Sequence, residues 1–572
     1  MKILEMDVEG IHADYLKPEI SVYDKIMTKS IESADALVLF TCIEEGDTQE
    51  IAREAMEDAI KFMDTLKRKT IVLYPFAHLS TNLAPPKRAS ELLDYMLSIV
   101  PERYESKKAA FGWNKKLKLE MKGHPLAERL RSFPRSERAT NESLAVRKEE
   151  EPEWEQMMAR IKKSDFSGLP ETDHRVIGER LELFSFQEVS PGMVYWHNKG
   201  VILREILISF IRSELSKRSY LEVSTPALAN TVLWRVSGHW DHYKDNMFVT
   251  NIGDEEFGLK PMNCPSAFLF YKTKKWSYRD LPLRVADFDQ LYRNERSGVA
   301  SGLFRVKILT QDDAHVFCSE EQIEAVISEI LEMVKLMYGI FGLEYKVKLS
   351  TMPDSHIGSE KQWEEATRKL SSSMEKAALK YDIKDKEGAF YGPKIDIDIR
   401  DSIGREWQCA TIQLDYQMPA RFGLVYSGAD GKEHTPITVH RVIYGSLERF
   451  IGIMLEHYKG KLPTWLSPVQ VKVLSISEQL NQHASKIHER FVAAGVRAEL
   501  DVSDKTLEYK IRSAKLQEIP YVLIIGKKEE QAGLVSIRGR DGKQKNMISV
   551  ESVIEEVLEE SRSKSQDLSA AS

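Results

Sequence analysis

Cys264, His315 and His440 stand in three separate stretches of the chain, KPMNCPSAF, TQDDAHVFC and VHRVIYGSLERF. One soft sulfur and two imidazoles form a donor set that suits zinc, and three protein ligands leave a fourth position open for substrate. Their spacing matches no local metal motif. If the three share an ion, the fold must close two long loops to bring them together, so this trio constrains the architecture more than any single element does. Taken singly, a buried Cys or His is more often a packing residue.

The 572 residues suffice for three or four domains at about 150 residues each, with large cores. A formal net charge of -7 means that a nucleic-acid partner would meet local basic patches rather than a global field. Cys42, Cys264, Cys318 and Cys409 are widely scattered, which argues against a disulfide framework and for a reducing compartment. The stretch MKILEMDVEG lacks a leader pattern, and no uninterrupted apolar run approaches about 18 residues. A cytoplasmic protein with no membrane span is expected.

The runs ALVLF and TIVLYPF flank apolar residues at helical spacing from Ile51 to Leu66, which predicts an α/β unit. Charge-rich sequence from Arg131 to Lys163 reads as part linker and part exposed helix. A large α+β region follows to about Ser467. Within it Val201 to Leu215 predicts a helix, and YLEVSTP a short strand stopped by Pro226. Beyond it VQVKVLSIS, RAELDVS and PYVLIIG alternate with helical stretches, one ended by Gly495, and Ser549 is placed to cap a last helix. That alternation predicts a mostly parallel or mixed sheet covered by helices. The end, SRSKSQDLSAAS, is expected to be disordered.

The motifs LWRVSGHWDHYKDNMF, MNCP, RNE, QDDAHVFC, AFYGPKIDI, WQCATIQLD, HRVIYGSLERF and PTWLSPVQV occur in order. On them, from Asp173 to near Glu560, the chain resembles the threonyl-tRNA synthetases, a class II family of aminoacyl-tRNA synthetases. Residues 1 to about 138, with HADYL, VLYPFAHLSTNLA and KKAAFGWNKKLKLEMKGHPLAE, resemble the editing domain of archaeal-type members, akin in fold to D-aminoacyl-tRNA deacylases. The resemblance implies a multidomain α/β and α+β chain. Its parts would be an editing domain at 1–138, a charged linker at 139–172, a class II catalytic core on an antiparallel sheet at 173–467, an α/β anticodon-binding domain at 468–560, and a tail at 561–572. It also implies a ligase that activates L-threonine with ATP and Mg2+, transfers it to tRNA(Thr), and hydrolyses mischarged seryl-tRNA(Thr). The segment from Val201 to Pro226 looks like the first class II motif, which builds a homodimer interface in that class.

By the same resemblance Arg293 bridges the substrate carboxylate and the α-phosphate, Glu295 takes the adenine amino group, and Arg305 and Arg449 hold further phosphate oxygens. Arginine suits this work because its planar fork meets such oxygens bidentately and stays charged. Cys264, His315 and His440 would hold a zinc ion. Asp313 and Tyr391 would grip the substrate, with Gln311, Lys394, Gln408 and Gln413 lining the pocket and Asp312 in a structural role. His239 falls near the terminal ribose of tRNA, where it would ease proton loss during transfer. Zinc would serve recognition rather than Lewis-acid chemistry. An open metal position takes both the amino and hydroxyl groups of threonine, whereas an apolar pocket rejects isosteric valine by only about 10²-fold. Serine carries both groups and lacks one methyl, worth only about 1–3 kcal/mol, so a hydrolytic second site is needed.

For that second site, His78, Lys115 and Glu128 fall on the family's editing positions. Arg512, Glu529 and Arg538 fall on anticodon-loop contacts, with Lys505, Lys510, Lys515, Arg540, Lys543 and Lys545 as phosphate neutralisers. Several positions depart from the family pattern, Ile308, Asp504, Glu518 and the longer start before HADY among them. Asn114 replaces a common aromatic residue before the editing lysine, Leu309 a phenylalanine that stacks on adenine, and Ala410 a glycine; Lys307 also differs.

Overall fold

The run ALVLF shows no polar alternation because its strand, Ser30–Cys42, is buried on both faces. The computed structural model describes every residue except 81, 125, 135–160, 162, 296–300, 402–403, 565 and 567–572. The chain divides into two units, Met1–Glu151 and Pro152–Ser572. The linker expected at 139–172 therefore lies largely outside the described residues.

In the first unit, Ser30–Cys42 sits inside a six-stranded sheet. Its neighbours are the parallel strand Thr70–Pro75 and the long antiparallel strand Lys2–Pro18. That long strand pairs along one half with Trp113–Met121 and along the other with Glu128–Ser132. Leu37, Leu39, Ile71 and Leu73 face the helices Gln49–Leu66 and Pro86–Ser98, while Val38, Phe40, Val72 and Tyr74 form the core of the opposite face. Period-two alternation thus serves two cores at once.

The second unit is built on an eight-stranded sheet. In spatial order its strands are Tyr381–Lys384, Tyr345–Ser350, Lys394–Arg400, Glu406–Asp415, Ile437–Val442, Asp313–Cys318, Leu283–Asp287 and Leu221–Val223. All pairs are antiparallel except the two at the edges. Helices Asn198–Ser216, Ile323–Ile340 and Leu447–His457 share its largest apolar core. A second, five-stranded sheet runs Ala498–Asp501, Val471–Ser475, Tyr521–Ile525, Val535–Gly539, Gln544–Ile548, with two parallel and two antiparallel pairs.

The last helix, Val550–Ser563, is capped by the Ser549 hydroxyl and reaches into the segment expected to be disordered. The reasons are partly local and partly tertiary. Ser561 and Ser563 donate to carbonyls four residues back, Lys564 adopts a left-handed cap over the Phe210 ring, and Gln566 donates to Gly339 O at 2.6 Å. The tail from 567 on lies outside the described residues.

Candidate active site

Strand register brings the histidines together. His315 lies directly opposite His440 in the ladder between Asp313–Cys318 and Ile437–Val442, with ring centroids 4.9 Å apart. Opposed residues of an antiparallel pair share a face. Cys264 arrives from another direction, at the first position of helix Cys264–Tyr271, where Pro265 suits the first turn. One donor atom from each of the three lies within 4.8 Å of the others.

The donor chemistry fits a cation. His315 is buried and neither ring nitrogen has a hydrogen-bond partner, a costly state for an imidazole with no ligand. Burial, with His440 nearby, holds it well below the ordinary histidine range, so the ring is neutral and can ligate. Burial pushes the Cys264 thiol well up, with the Asp313 and Asp415 carboxyls adding to it, and a bound cation would reverse that shift. His440 Nε2 lies 3.0 Å from Asp415 Oδ2, which orients the ring and leaves Nδ1 as its free donor.

Above the trio opens a cavity of about 480 Å³. Of the residues expected in catalysis, substrate binding and metal holding, all but His239 line it. Arg449 is held by backbone carbonyls, donating from Nε to Phe304 O at 2.9 Å and from Nη1 to Gln408 O at 2.7 Å. Arg305 pairs with Glu295 at 2.8 Å. Lys394 and Gln408 converge on Asp396, at 3.0 and 2.5 Å, and the Tyr391 hydroxyl donates to Gln413. Burial raises the Asp313 carboxyl to about 6, against the pull of His440.

Asp312 does not line the cavity. It accepts from the backbone N–H groups of Ile443, Tyr444 and Gly445 and from Arg441. It thereby ties the QDDAH strand to the turn that opens the helix carrying Arg449, capped by the Ser446 hydroxyl.

His239 is fully buried instead of reaching the cavity. Gly238, in a left-handed cap, ends helix Thr231–Ser237, and His239 behind it meets Ser237 Oγ at 2.8 Å with Nε2 3.8 Å from Cys264 Sγ. Burial lowers it to about 3, so it is neutral. Tyr243, Met262, Phe390 and Arg441 line the cavity without having been singled out from sequence. All four stood inside quoted motifs, but nothing in the spacing marks them out from their neighbours there. Leu309 lies with Leu291 and Val306 as a small aliphatic cluster.

In the first unit Lys115 is half-buried, its Nζ donating to Trp113 O at 3.1 Å and lying 5.0 Å above the Tyr74 ring. Burial pushes its amine down to about 8. Tyr74, Phe40, Phe76 and His78 follow as a row of ring contacts at 4.8, 5.3 and 5.3 Å. Glu128 is exposed opposite Met6, which is opposite Val38, so it shares this sheet face. Among the described residues no hydrogen bond or ion pair joins His78, Lys115 and Glu128. Asn114 brings no aromatic wall, but Trp113 meets both Tyr15 and Tyr23 at about 6 Å.

In the five-stranded region Arg512 is exposed on helix Leu507–Leu516 and Arg538 half-buried on Val535–Gly539. Glu529 Oε2 accepts from Gly526 N and so caps the short helix Lys527–Ala532, while Oε1 accepts from Ser536 Oγ on the neighbouring strand. Lys510 is buried and donates to Ser475 O and Asp501 O. Arg540 is mostly buried and lowered to about 10 by that burial. The Lys510 amine is thus spent on internal carbonyls, whereas Arg540 Nε and Nη1 are buried without a hydrogen-bond partner.

Residues 248–458 match the class II tRNA synthetase core domain shared by the G, H, P, S and T enzymes, residues 1–133 the Archaea-specific editing domain of threonyl-tRNA synthetase, and residues 470–560 an anticodon-binding domain. A threonine–tRNA ligase of Caldanaerobacter subterraneus subsp. tengcongensis is 51% identical over 388 residues, covering 68% of this chain and 60% of the relative. The crystal structure of the RNA-binding domain of threonyl-tRNA synthetase from Cryptosporidium parvum Iowa II is 42% identical with TM-score 0.66, covering 68% of this chain and 98% of that one. The chain belongs to the threonyl-tRNA synthetase family. A putative family member from Aeropyrum pernix is 28% identical with TM-score 0.60, covering 69% of this chain and 97% of that one. The chain spans 60–62% of the length of the curated relatives it matches. Family membership accounts for the largely antiparallel core sheet and for the separate sheet of the first unit. Among the described residues no helix is long and apolar enough to cross a membrane.

Proposed function

We propose that the chain is a threonine–tRNA ligase with serine proofreading. Residues 173–467 would activate L-threonine with ATP and Mg2+ and charge tRNA(Thr), residues 468–560 would read the anticodon, and residues 1–138 would hydrolyse seryl-tRNA(Thr), in a cytoplasmic homodimer. The observation that carries this reading is the convergence of Cys264, His315 and His440 in the same cavity as Arg293, Arg305 and Arg449. When bound, zinc would supply an open position for an amino and a hydroxyl group. Asp313 and Tyr391 line the same cavity and would grip the substrate there, and the three arginines would supply fixed positive charge where a carboxylate meets a phosphate. Because Arg449 is pinned by two backbone carbonyls, it needs little reorganisation as charge develops.

The test is ATP–pyrophosphate exchange with threonine, serine and valine, combined with metal analysis. Threonine should support exchange, serine less, valine essentially none. Exchange driven by proline or another amino acid, and not by threonine, would overturn the reading. Asp415→Asn removes the carboxylate behind His440 and should weaken zinc affinity by about 10–100-fold, read by chelator competition.

Lys115→Met should abolish most seryl-tRNA deacylation while leaving exchange unchanged. It should also raise the unfolding midpoint of the first unit near pH 7. The folded amine, near 8, lies below its unfolded value of about 10.4, so the burial penalty is fully present below pH 8. Between about pH 8 and 10.4 the unfolded chain binds the proton that the folded chain has released, so wild-type stability rises with pH there. The advantage of the methionine variant should shrink across that window. A midpoint difference that stayed constant to pH 10 would contradict the assignment.

A further inference from the structure

His174 does not line the cavity, yet it holds the segment that carries Phe304 and Arg305. It opens the short helix His174–Arg180 and is buried. The Leu303 N–H donates to its Nε2 at 3.0 Å, so Nε2 is unprotonated and the ring proton sits on Nδ1. Nδ1 lies 2.8 Å from Glu456 Oε1, and Arg405 donates to Oε2 of the same carboxylate at 3.1 Å. The imidazole also lies 4.2 Å from the Phe304 ring, which stacks on Trp407 at 4.5 Å. The Phe304 carbonyl accepts from Arg449. Gly302 has φ of +51°, and a Cβ there would come within 2.3 Å of His174 Nε2. The close approach of loop to ring therefore requires glycine.

Both ring nitrogens are satisfied, so this Asp173, His174 and Glu456 cluster is a relay of hydrogen bonds and not a vacant ligand set. Its outward end is a single backbone N–H on the segment between the cavity's arginines. We infer that His174 is a positioning residue for ATP. Through Leu303 it sets the Gly302–Arg305 turn, and so fixes where Arg305 and the Phe304-tethered Arg449 meet the phosphates. This inference rests on the assignment of those arginines to ATP.

Calorimetry with a non-hydrolysable ATP analogue, in the absence of amino acid, tests it. His174→Leu keeps the bulk but cannot accept from Leu303, which leaves a buried N–H unpaired. The analogue should bind about 10–100-fold more weakly, while the variant's amino-acid affinity and zinc content stay within about twofold of the wild type. His174→Gln supplies an amide oxygen and an NH2 group and should restore most of the loss. Unchanged analogue binding in His174→Leu overturns the inference. So does a uniform loss of all ligands that glutamine fails to restore, which marks a merely structural residue. If His174→Leu does not fold, Gly302→Ala probes the same contact from the loop side and must weaken the analogue selectively; normal binding there also overturns it. A wild type that binds the analogue but activates an amino acid other than threonine would sink the functional reading alone.

Discussion

Cys264→Ala should emerge without zinc and should lose its discrimination between threonine and valine. With the trio intact, a site that engages the hydroxyl can reject valine by about 10⁴–10⁵, whereas shape alone offers about 10². Threonine-dependent exchange should therefore fall by at least about 10²-fold, with the residual threonine-to-valine ratio near that shape-only value. Removing the thiol costs the fold little by comparison, since Cys264 is one small member of an apolar cluster with Phe268, Tyr271 and Val285. Urea unfolding and seryl-tRNA deacylation by the first unit should be close to wild type. A zinc-free variant that still preferred threonine strongly over valine would show that selection lies elsewhere, for instance in Asp313 and Tyr391 alone.

Asp312→Ala should cost the second unit about 3–5 kcal/mol, because it strips the counter-charge from a buried arginine. Arg441 is fully buried, with Nε and Nη2 already lacking partners and its guanidinium 5.0 Å from the Tyr220 ring. The same substitution orphans the N–H groups of Ile443, Tyr444 and Gly445. Asp312→Asn keeps one acceptor oxygen but aims an NH2 group at other donors, so its cost should be smaller, about 1–3 kcal/mol. Its exchange activity should nevertheless fall more than its stability, because the disturbed turn precedes Arg449. Urea midpoints measured beside exchange rates separate the two effects. Equal stability of Asp312→Ala and wild type would refute the structural role assigned to this carboxylate.

Local structure was legible where one periodicity governs a stretch. Val201 to Leu215 became the core of helix Asn198–Ser216, PYVLIIG a buried strand, and Ser549 an N-cap. The hairpin Val535–Gly539 with Gln544–Ile548 was not read, since its second strand opens on three polar residues and a register shift interrupts the pairing. Its Asp541-Gly542 pair, with Gly542 at positive φ, was the available signal. Basic residues misled for a related reason. Composition cannot tell Lys505, which is exposed, from Lys510, whose Nζ is used up on two internal carbonyls.

The sequence by itself determined which residue types were present, in which motif order, and hence the family whose fold they adopt. Residue types and local periods survive any arrangement of the chain, so they can be read without one. Only the tertiary structure decided that His315 faces His440 across a ladder, that His239 lies beneath the pocket against Cys264, and that His174 reaches a loop far along the chain. Those outcomes depend on strand register and on which buried polar group finds which partner. Both are settled by the simultaneous packing of distant segments, to which no local spacing corresponds.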